Sequence, residues 1–114
     1  MPRALLLTTA LGLLLAGCAG RPDCSATGGF ERGRAGETAA SRCDSTGYVD
    51  AWRLGRTLGE LEREQDALGV HPDRLTPAER QRLRVLSREI PELETLARLQ
   101  GLLPAPDTRE LIDH

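Results

Sequence analysis

Hydrophobic positions divide this chain into an apolar N-terminal run, a glycine-rich stretch without periodicity and two helical seams. The apolar run, Ala4 to Leu15, follows a single basic residue, Arg3. It contains about a dozen residues, whereas a membrane-spanning helix needs about 20. A short apolar run after a basic start is typical of a secretory signal peptide. We therefore assign residues 1–17 to a targeting segment rather than to the folded domain.

The first helical seam predicts a helix from about 47 to 68. Asp44, Ser45 and Thr46 all have side chains suited to cap its N-terminus, and Gly69 is suited to end it. Apolar positions recur at steps of three and four, which is the a/d pattern of a coiled coil. The seam consists of Ala51, Leu54, Leu58, Leu61, Gln65 and Leu68.

The second seam predicts a helix from about 77 to 102. Thr76, Pro77 and Glu79 match the capping box, with proline at the first helical position. Leucine and isoleucine then recur at steps of three and four up to Leu99. Pro91 interrupts this run, so we expect a kink or a break near it. Beyond the helix, residues 104–114 are predicted to form a flexible tail.

Together these patterns predict an all-α fold. The short connection between the two seams favours an antiparallel, coiled-coil-like helical hairpin over residues 44–103. One register sets Leu58 against Leu86, with Leu54 against Ile90. It also brings two ion pairs together, Glu64 with Arg80 and Glu60 with Arg84.

The apolar run ends in Leu15-Ala16-Gly17-Cys18, which resembles the lipobox of bacterial lipoproteins. The resemblance implies that the Cys18 thiol receives a diacylglyceryl group. It also implies cleavage just before Cys18 and acylation of the new amino terminus, as by palmitate. The residue after the anchor is Ala19, not the aspartate that retains such proteins in the inner membrane. The expected location is therefore the periplasmic face of the outer membrane.

The other two cysteines form an even pair once Cys18 carries lipid. In an oxidising compartment, Cys24 and Cys43 are expected to form a disulfide. The weaker alternative is a redox or metal pair, which lacks the usual C-x-x-C spacing. Residues 18–43 are thus predicted to be a lipid-anchored tether followed by a disulfide-closed, glycine-rich loop. Gly28, Gly29, Gly33 and Gly36 are expected to let this loop turn.

The composition argues against nucleic-acid binding and catalysis, and it predicts a small hydrophobic core. The chain has a formal net charge of −2, so it has no overall attraction to nucleic acid. It contains one Phe, one Tyr and one Trp, and we expect a small core made mainly of leucine. No nucleophile, histidine or carboxylate set is spaced for catalysis. We therefore expect no enzyme activity, no cofactor and no metal site.

Two rows of residues on the predicted helices are candidate interaction surfaces, one of small residues and one of arginines. Ala51, Gly55 and Gly59 form a face of small residues, and each glycine weakens a helix by roughly 1 kcal/mol relative to alanine. This cost indicates that something approaches closely, either the disulfide loop through Phe30 or a partner helix from another chain. A second row, Arg80, Arg84 and Arg88, suits phosphate or lipid headgroups. A solvated face balanced by the acidic residues of the first helix explains that row better.

The mature part is also similar to an uncharacterised domain-of-unknown-function family of small bacterial lipoproteins. The similarity is carried by two cysteines with glycine-spaced residues between them and a Tyr-x-x-Gly-Arg helix after them. These residues are Cys24, Gly29-Phe30, Gly33, Gly36, Cys43, Tyr48, Ala51, Gly55-Arg56, Leu58 and Leu61-Glu62. This chain departs from the family pattern at Asp23 and Asp44. The family carries no activity over to this chain and implies only architecture and location.

The resulting expectation is a lipid-anchored protein of the cell envelope with a structural or protein-interaction role. Its expected partners are the membrane, through Cys18, and either another envelope component or a second copy of itself. The alternative is a periplasmic ligand-binding or sensing module that uses the Cys24–Cys43 loop as the floor of a pocket.

Overall fold

The computed structural model describes residues 22–105, and this part of the chain is all-helical, without a β-strand. The predicted segments that lie outside these residues are the signal peptide, Cys18 and most of the tail. Three α-helices and one short 3-10 helix follow in order. They are α1 (Ala26–Arg34), α2 (Thr46–Gly69), the 3-10 helix (Pro72–Arg74) and α3 (Pro77–Leu99).

Side-chain oxygens cap the N-terminus of each α-helix, where backbone N–H groups lack helical partners. The Gly28 N–H donates to Ser25 Oγ at 3.0 Å, and the Tyr48 N–H donates to Ser45 Oγ at 3.2 Å. At α3 the predicted capping box is confirmed: Glu79 N–H donates to Thr76 Oγ1, and Thr76 N–H donates to Glu79 Oε1. This bond from the Thr76 backbone lowers the pKa of the Glu79 carboxyl below its ordinary value.

Helix α1 is the main difference from the sequence prediction. Residues 18–43 were expected to form a tether and loop, yet Ala26–Arg34 within them is helical. Gly28, Gly29 and Gly33 lie inside this helix and do not turn a loop. Of the four glycines, only Gly36 has a positive φ, of 83°, which is the conformation that glycine adopts without a steric penalty. The helix forms despite its poor intrinsic propensity because it packs against α2.

Helix α3 is continuous through Pro91, so the expectation of a break there is wrong, while the kink stays a prediction. The helix also ends at Leu99, three residues before the predicted end. Gly101, at φ 74°, reverses the chain. The N–H of Leu102 then donates to Ala97 O at 2.8 Å, and that of Gly101 donates to Arg98 O at 3.0 Å. These two bonds form a Schellman motif, which closes the helix and turns Leu102 into the core.

Helices α2 and α3 pair in opposite directions, as a hairpin. Near the connecting turn Glu64 binds Arg82, and further from it Thr57 shares a groove with residues 89–96. The predicted ion pairs are wrong: Glu64 pairs with Arg82 rather than Arg80, and Glu60 pairs with Arg56 of its own helix. Arg80 and Arg84 are exposed, whereas Arg82 lies one turn before the core residue Leu86 and so on the side facing α2.

The core lies where all three helices meet. The Phe30, Leu58 and Leu86 side chains are at most 1% exposed, and each comes from a different helix. Ala51, Ile90, Ala97 and Leu102 complete the buried cluster. Phe30 enters the hairpin from α1, so the short glycine-rich helix supplies the one large ring in this cluster. The N-terminal segment is thus part of the folded core.

Candidate functional site

Helices α1 and α2 cross with their backbones almost in contact. A Cβ atom built on Gly33 would overlap the Trp52 carbonyl oxygen and lie 2.8 Å from Arg56 N. One built on Gly55 would overlap the Phe30 carbonyl oxygen and lie 3.0 Å from Arg34 N. Gly33 of α1 therefore packs on the backbone of α2, and Gly55 of α2 packs on the backbone of α1. Neither position has room for a side chain.

A second pair of glycines extends this crossing by one turn on each helix. A Cβ on Gly29 would lie 2.7 Å from Tyr48 O, and one on Gly59 would overlap Arg34 O. We call Gly29, Gly33, Gly55 and Gly59 the glycine crossing. Its contacts advance along both helices in the same sense, so α1 and α2 run in parallel. The pairing resembles the small-xxx-small crossings through which helix backbones approach closely.

The predicted face of Ala51, Gly55 and Gly59 is buried and is covered by α1 of the same chain. Of the two occupants considered, the structure shows the intramolecular one, with Phe30 against it. Gly29 and Gly33 are the matching residues that the sequence reasoning missed. The signal was available, because Gly-x-x-x-Gly occurs once in each segment with the same spacing.

A disulfide ties the start of α1 to the start of α2. Cys24 and Cys43 are bonded with a Cα–Cα distance of 5.1 Å. Since the two helices are parallel, residues 35–45 must return along their length to begin α2. Two side chains of α2 hold this return loop: Trp52 Nε1 donates to Glu37 O at 2.9 Å, and Tyr48 Oη accepts from Ala40 N at 3.0 Å.

A bidentate ion pair fixes the far end of the crossing. Arg34 Nε and Nη2 each donate to a Glu62 carboxylate oxygen at 2.8 Å. Both side chains are about one-third exposed. The hydrogen bonds to Glu62 raise the pKa of the Arg34 guanidinium above its ordinary value. The planar, bidentate geometry of the pair orients α1 on α2.

Beside the return loop lies a cleft of about 290 Å³. Its walls are loop residues 36–39 and the Trp52, Arg56 and Arg63 side chains of α2. The Arg56 guanidinium lies 5.4 Å from the Trp52 ring centre and also binds Glu60 at 3.1 Å. Arg63 donates to Arg34 O at 3.0 Å. Both cations already have partners within the fold.

On another face, α2 and α3 leave an apolar groove of about 440 Å³. Leu61, Leu93 and Leu96 form its floor and one wall, with Thr57, Glu89 and Glu92 beside them. Leu96 is 41% exposed, and Leu99 one turn later is 81% exposed. Outside the groove lining and nearer the connecting turn, Arg82 lowers the pKa of the Glu64 carboxyl through their hydrogen bonds. The groove is thus apolar along its length and acidic at its rim.

Residues 22–105 contain neither a candidate membrane-spanning helix nor a candidate metal cluster. No helix in that range is both long enough and apolar enough to cross a bilayer. No set of three or more His, Cys, Asp or Glu side chains there is gathered for a metal ion. Cys18, the predicted lipidation site, lies outside the described residues.

Comparisons with known proteins add no relative. No family model matches the chain, and neither a curated protein nor a solved structure matches it. The resemblances to bacterial lipoproteins and to the small lipoprotein family stay predictions from the sequence.

Proposed function

We propose that this chain is a lipid-anchored protein of the bacterial cell envelope with a structural or protein-interaction role rather than a catalytic one. The observation that carries the proposal is the sequence Leu15-Ala16-Gly17-Cys18 directly after a short apolar run. Three acyl chains on Cys18 would hold the protein on a bilayer essentially permanently, whereas a single myristoyl chain binds with only about 10⁴ M⁻¹.

The link between Cys18 and the described fold is short, which agrees with a domain held close to a membrane. Cys24, the first residue clipped by the disulfide, comes six residues after Cys18. Six residues span at most about 22 Å when fully extended. A lipid on Cys18 would therefore keep the glycine crossing next to the membrane surface. The hairpin of α2 and α3 would then present its exposed faces to neighbouring envelope components.

Replacing the anchor tests the proposal. The Cys18→Ser variant is expected to lose acylation and processing, so that it keeps residues 1–17 and runs as a longer chain without lipid. The measurement is immunoblotting of membrane and soluble fractions after alkaline washing, which removes peripheral proteins. The matched control is Cys24→Ala/Cys43→Ala, which removes the other two thiols and should stay in the membrane fraction. A Cys18→Ser variant with both the chain length and the membrane attachment of the wild type would contradict the proposal.

One observation favours the second candidate, a ligand-binding or sensing module. The cleft beside residues 36–39 is formed by the disulfide-closed loop, as that alternative requires. A small anion is the ligand class that its two arginines would bind if they released Glu60 and the Arg34 carbonyl oxygen. If the cleft binds one, inorganic phosphate or a dicarboxylate raises the melting temperature of the wild type but not that of Trp52→Ala. Equal melting temperatures with and without these anions would remove this candidate.

A further inference from the structure

The side of α3 that faces away from the buried core carries a second row of positions, two of which, Glu92 and Leu96, also line the edge of the groove beside α2. The positions of this row recur at steps of three and four, as in a helix–helix interface. We call this set the outer seam: Gln81, Val85, Arg88, Glu92, Leu96 and Leu99. Leu96 and Leu99 are among the few large hydrophobic side chains exposed within residues 22–105. Val85 is half-buried at the other end of the same face.

The charges at the centre of the outer seam are uncommitted in this fold. Arg88 and Glu92 are both exposed. Among the described residues, neither takes part in an ion pair within 4.0 Å, although five other arginines do. The seam therefore has a positive and a negative charge one turn apart at its middle, with apolar side chains toward both ends.

This order of residues is self-complementary. An antiparallel copy of α3, centred near residue 90, sets Arg88 of each chain beside Glu92 of the other. The same placement sets Val85 of each chain against Leu96 of the other, and Gln81 of each chain against Leu99 of the other. Such a two-fold, isologous contact uses one patch on both partners. A uniformly basic partner would suit Glu92 but would oppose Arg88, so the charge order favours a second copy.

We propose that the outer seam of α3 pairs with the same seam of a second copy, forming an antiparallel two-fold dimer. The pairing leaves the glycine crossing untouched, because α1 covers α2 on a different face. It also places the exposed Leu96 against apolar surface of the partner. The dimer rests on the interaction role in the proposed function, and it names the partner in that role as a second copy of the chain. The association itself does not need the lipid.

Charge reversal at the seam tests the pairing on the full chain extracted in detergent. The measurement is the protein mass from sedimentation equilibrium in density-matched detergent, with micelles in large excess over protein. Wild type is expected to have the mass of two chains. Arg88→Glu and Glu92→Arg are each expected to have the mass of one chain at the same concentration, because like charges then face each other. Mixed together, these two variants should regain the mass of two chains.

The mixing step separates pairing between chains from effects within one helix. Arg88 and Glu92 are four residues apart, so either substitution alone also changes charges within α3. Only contact between chains explains association on mixing. Arg80→Glu is the matched control, since it makes the same charge change on an exposed residue outside the seam, and its mass should equal that of wild type. Leu96→Glu should dissociate the dimer, whereas Ser87→Glu, at an exposed position on another side of α3, should not.

Several outcomes would overturn the dimer. One is a single-chain mass for the wild type. If a chain that lacks residues 106–114 then has the mass of two chains, the tail rather than a second copy covers this face in the wild type. Another is a two-chain mass in all variants, which would place the contact elsewhere. In every such case the Cys18→Ser fractionation result stands independently. Failure of the dimer and failure of the anchor are therefore distinguishable.

Discussion

The Gly55→Ala variant is expected to lose about 3 kcal/mol of unfolding free energy or more, the upper range for overpacking a well-packed contact. The added methyl group would overlap the Phe30 carbonyl oxygen and crowd Arg34 N. Both are backbone atoms, so no rotamer change relieves the overlap and α1 must move away from α2. That movement would also withdraw the Phe30 ring from the core. Urea unfolding followed by circular dichroism measures the change.

Gly47→Ala is the matched control for that experiment. Gly47 also lies in α2, but a Cβ there meets nothing within 4 Å. Alanine favours a helix over glycine by up to about 1 kcal/mol, so this variant should be as stable as wild type or slightly more stable. Equal stability of Gly55→Ala and Gly47→Ala would contradict the close packing of α1 on α2. Gly33→Ala, which overlaps Trp52 O from the other helix, should reproduce the effect of Gly55→Ala.

The Cys24→Ala/Cys43→Ala variant is expected to lose about 3 kcal/mol, the cost in the chain-entropy model of opening a loop of roughly this length. The disulfide spans 19 residues and holds α1 beside the start of α2. Helix α1 has nine residues, three of them glycine, and a helix this short is marginal in water by itself. We expect it to fray from α2 when the crosslink is removed, which would change the fluorescence of Trp52.

Reduction of the wild-type protein is the control for the disulfide. Dithiothreitol should lower the urea midpoint of the wild type toward that of the double variant. It should leave the midpoint of the double variant unchanged, since that protein has no disulfide between these positions. A wild-type midpoint that is the same with and without reductant would show that the crosslink does not support the fold.

The two long helices were predictable because their signals are local. Ser45 and Thr76 have the side-chain oxygens that cap a helix, and the seam that follows each of them repeats at helical spacing. The observed α2 and α3 lie close to the predicted ranges of about 47–68 and 77–102. The main difference is at the end of α3, which lies three residues earlier than predicted because Gly101 adopts the left-handed conformation that lets Leu102 fold back.

Helix α1 was not predictable from local signals. Its sequence, Ala-Thr-Gly-Gly-Phe-Glu-Arg-Gly-Arg, has poor helix propensity. The glycines that weaken it in isolation are the residues that let it approach α2. Propensity and packing therefore point in opposite directions in this segment, and packing decides. The cue lay in comparing two segments, because Gly29 and Gly33 have the same spacing as Gly55 and Gly59.

The ion pairs show a second limit of sequence reasoning. A register argument fixes which turns of α2 and α3 are neighbours, and Leu58 and Leu86 do belong to one core. It does not fix which arginine of a turn faces the partner helix. Arg80 and Arg82 are two residues apart and therefore point to different sides of α3. Only Arg82 reaches Glu64, and Arg80, Arg84 and Arg88 are exposed.

The proposed lipid anchor on the sulfur of Cys18 determines where this domain acts. Intact mass spectrometry of the protein purified from membranes tests it most directly. We expect a chain that starts at Cys18 and carries the added mass of a diacylglyceryl group and an amide-linked acyl chain, with Cys24 and Cys43 oxidised. A chain that still begins at Met1, or one with an unmodified Cys18, would contradict it.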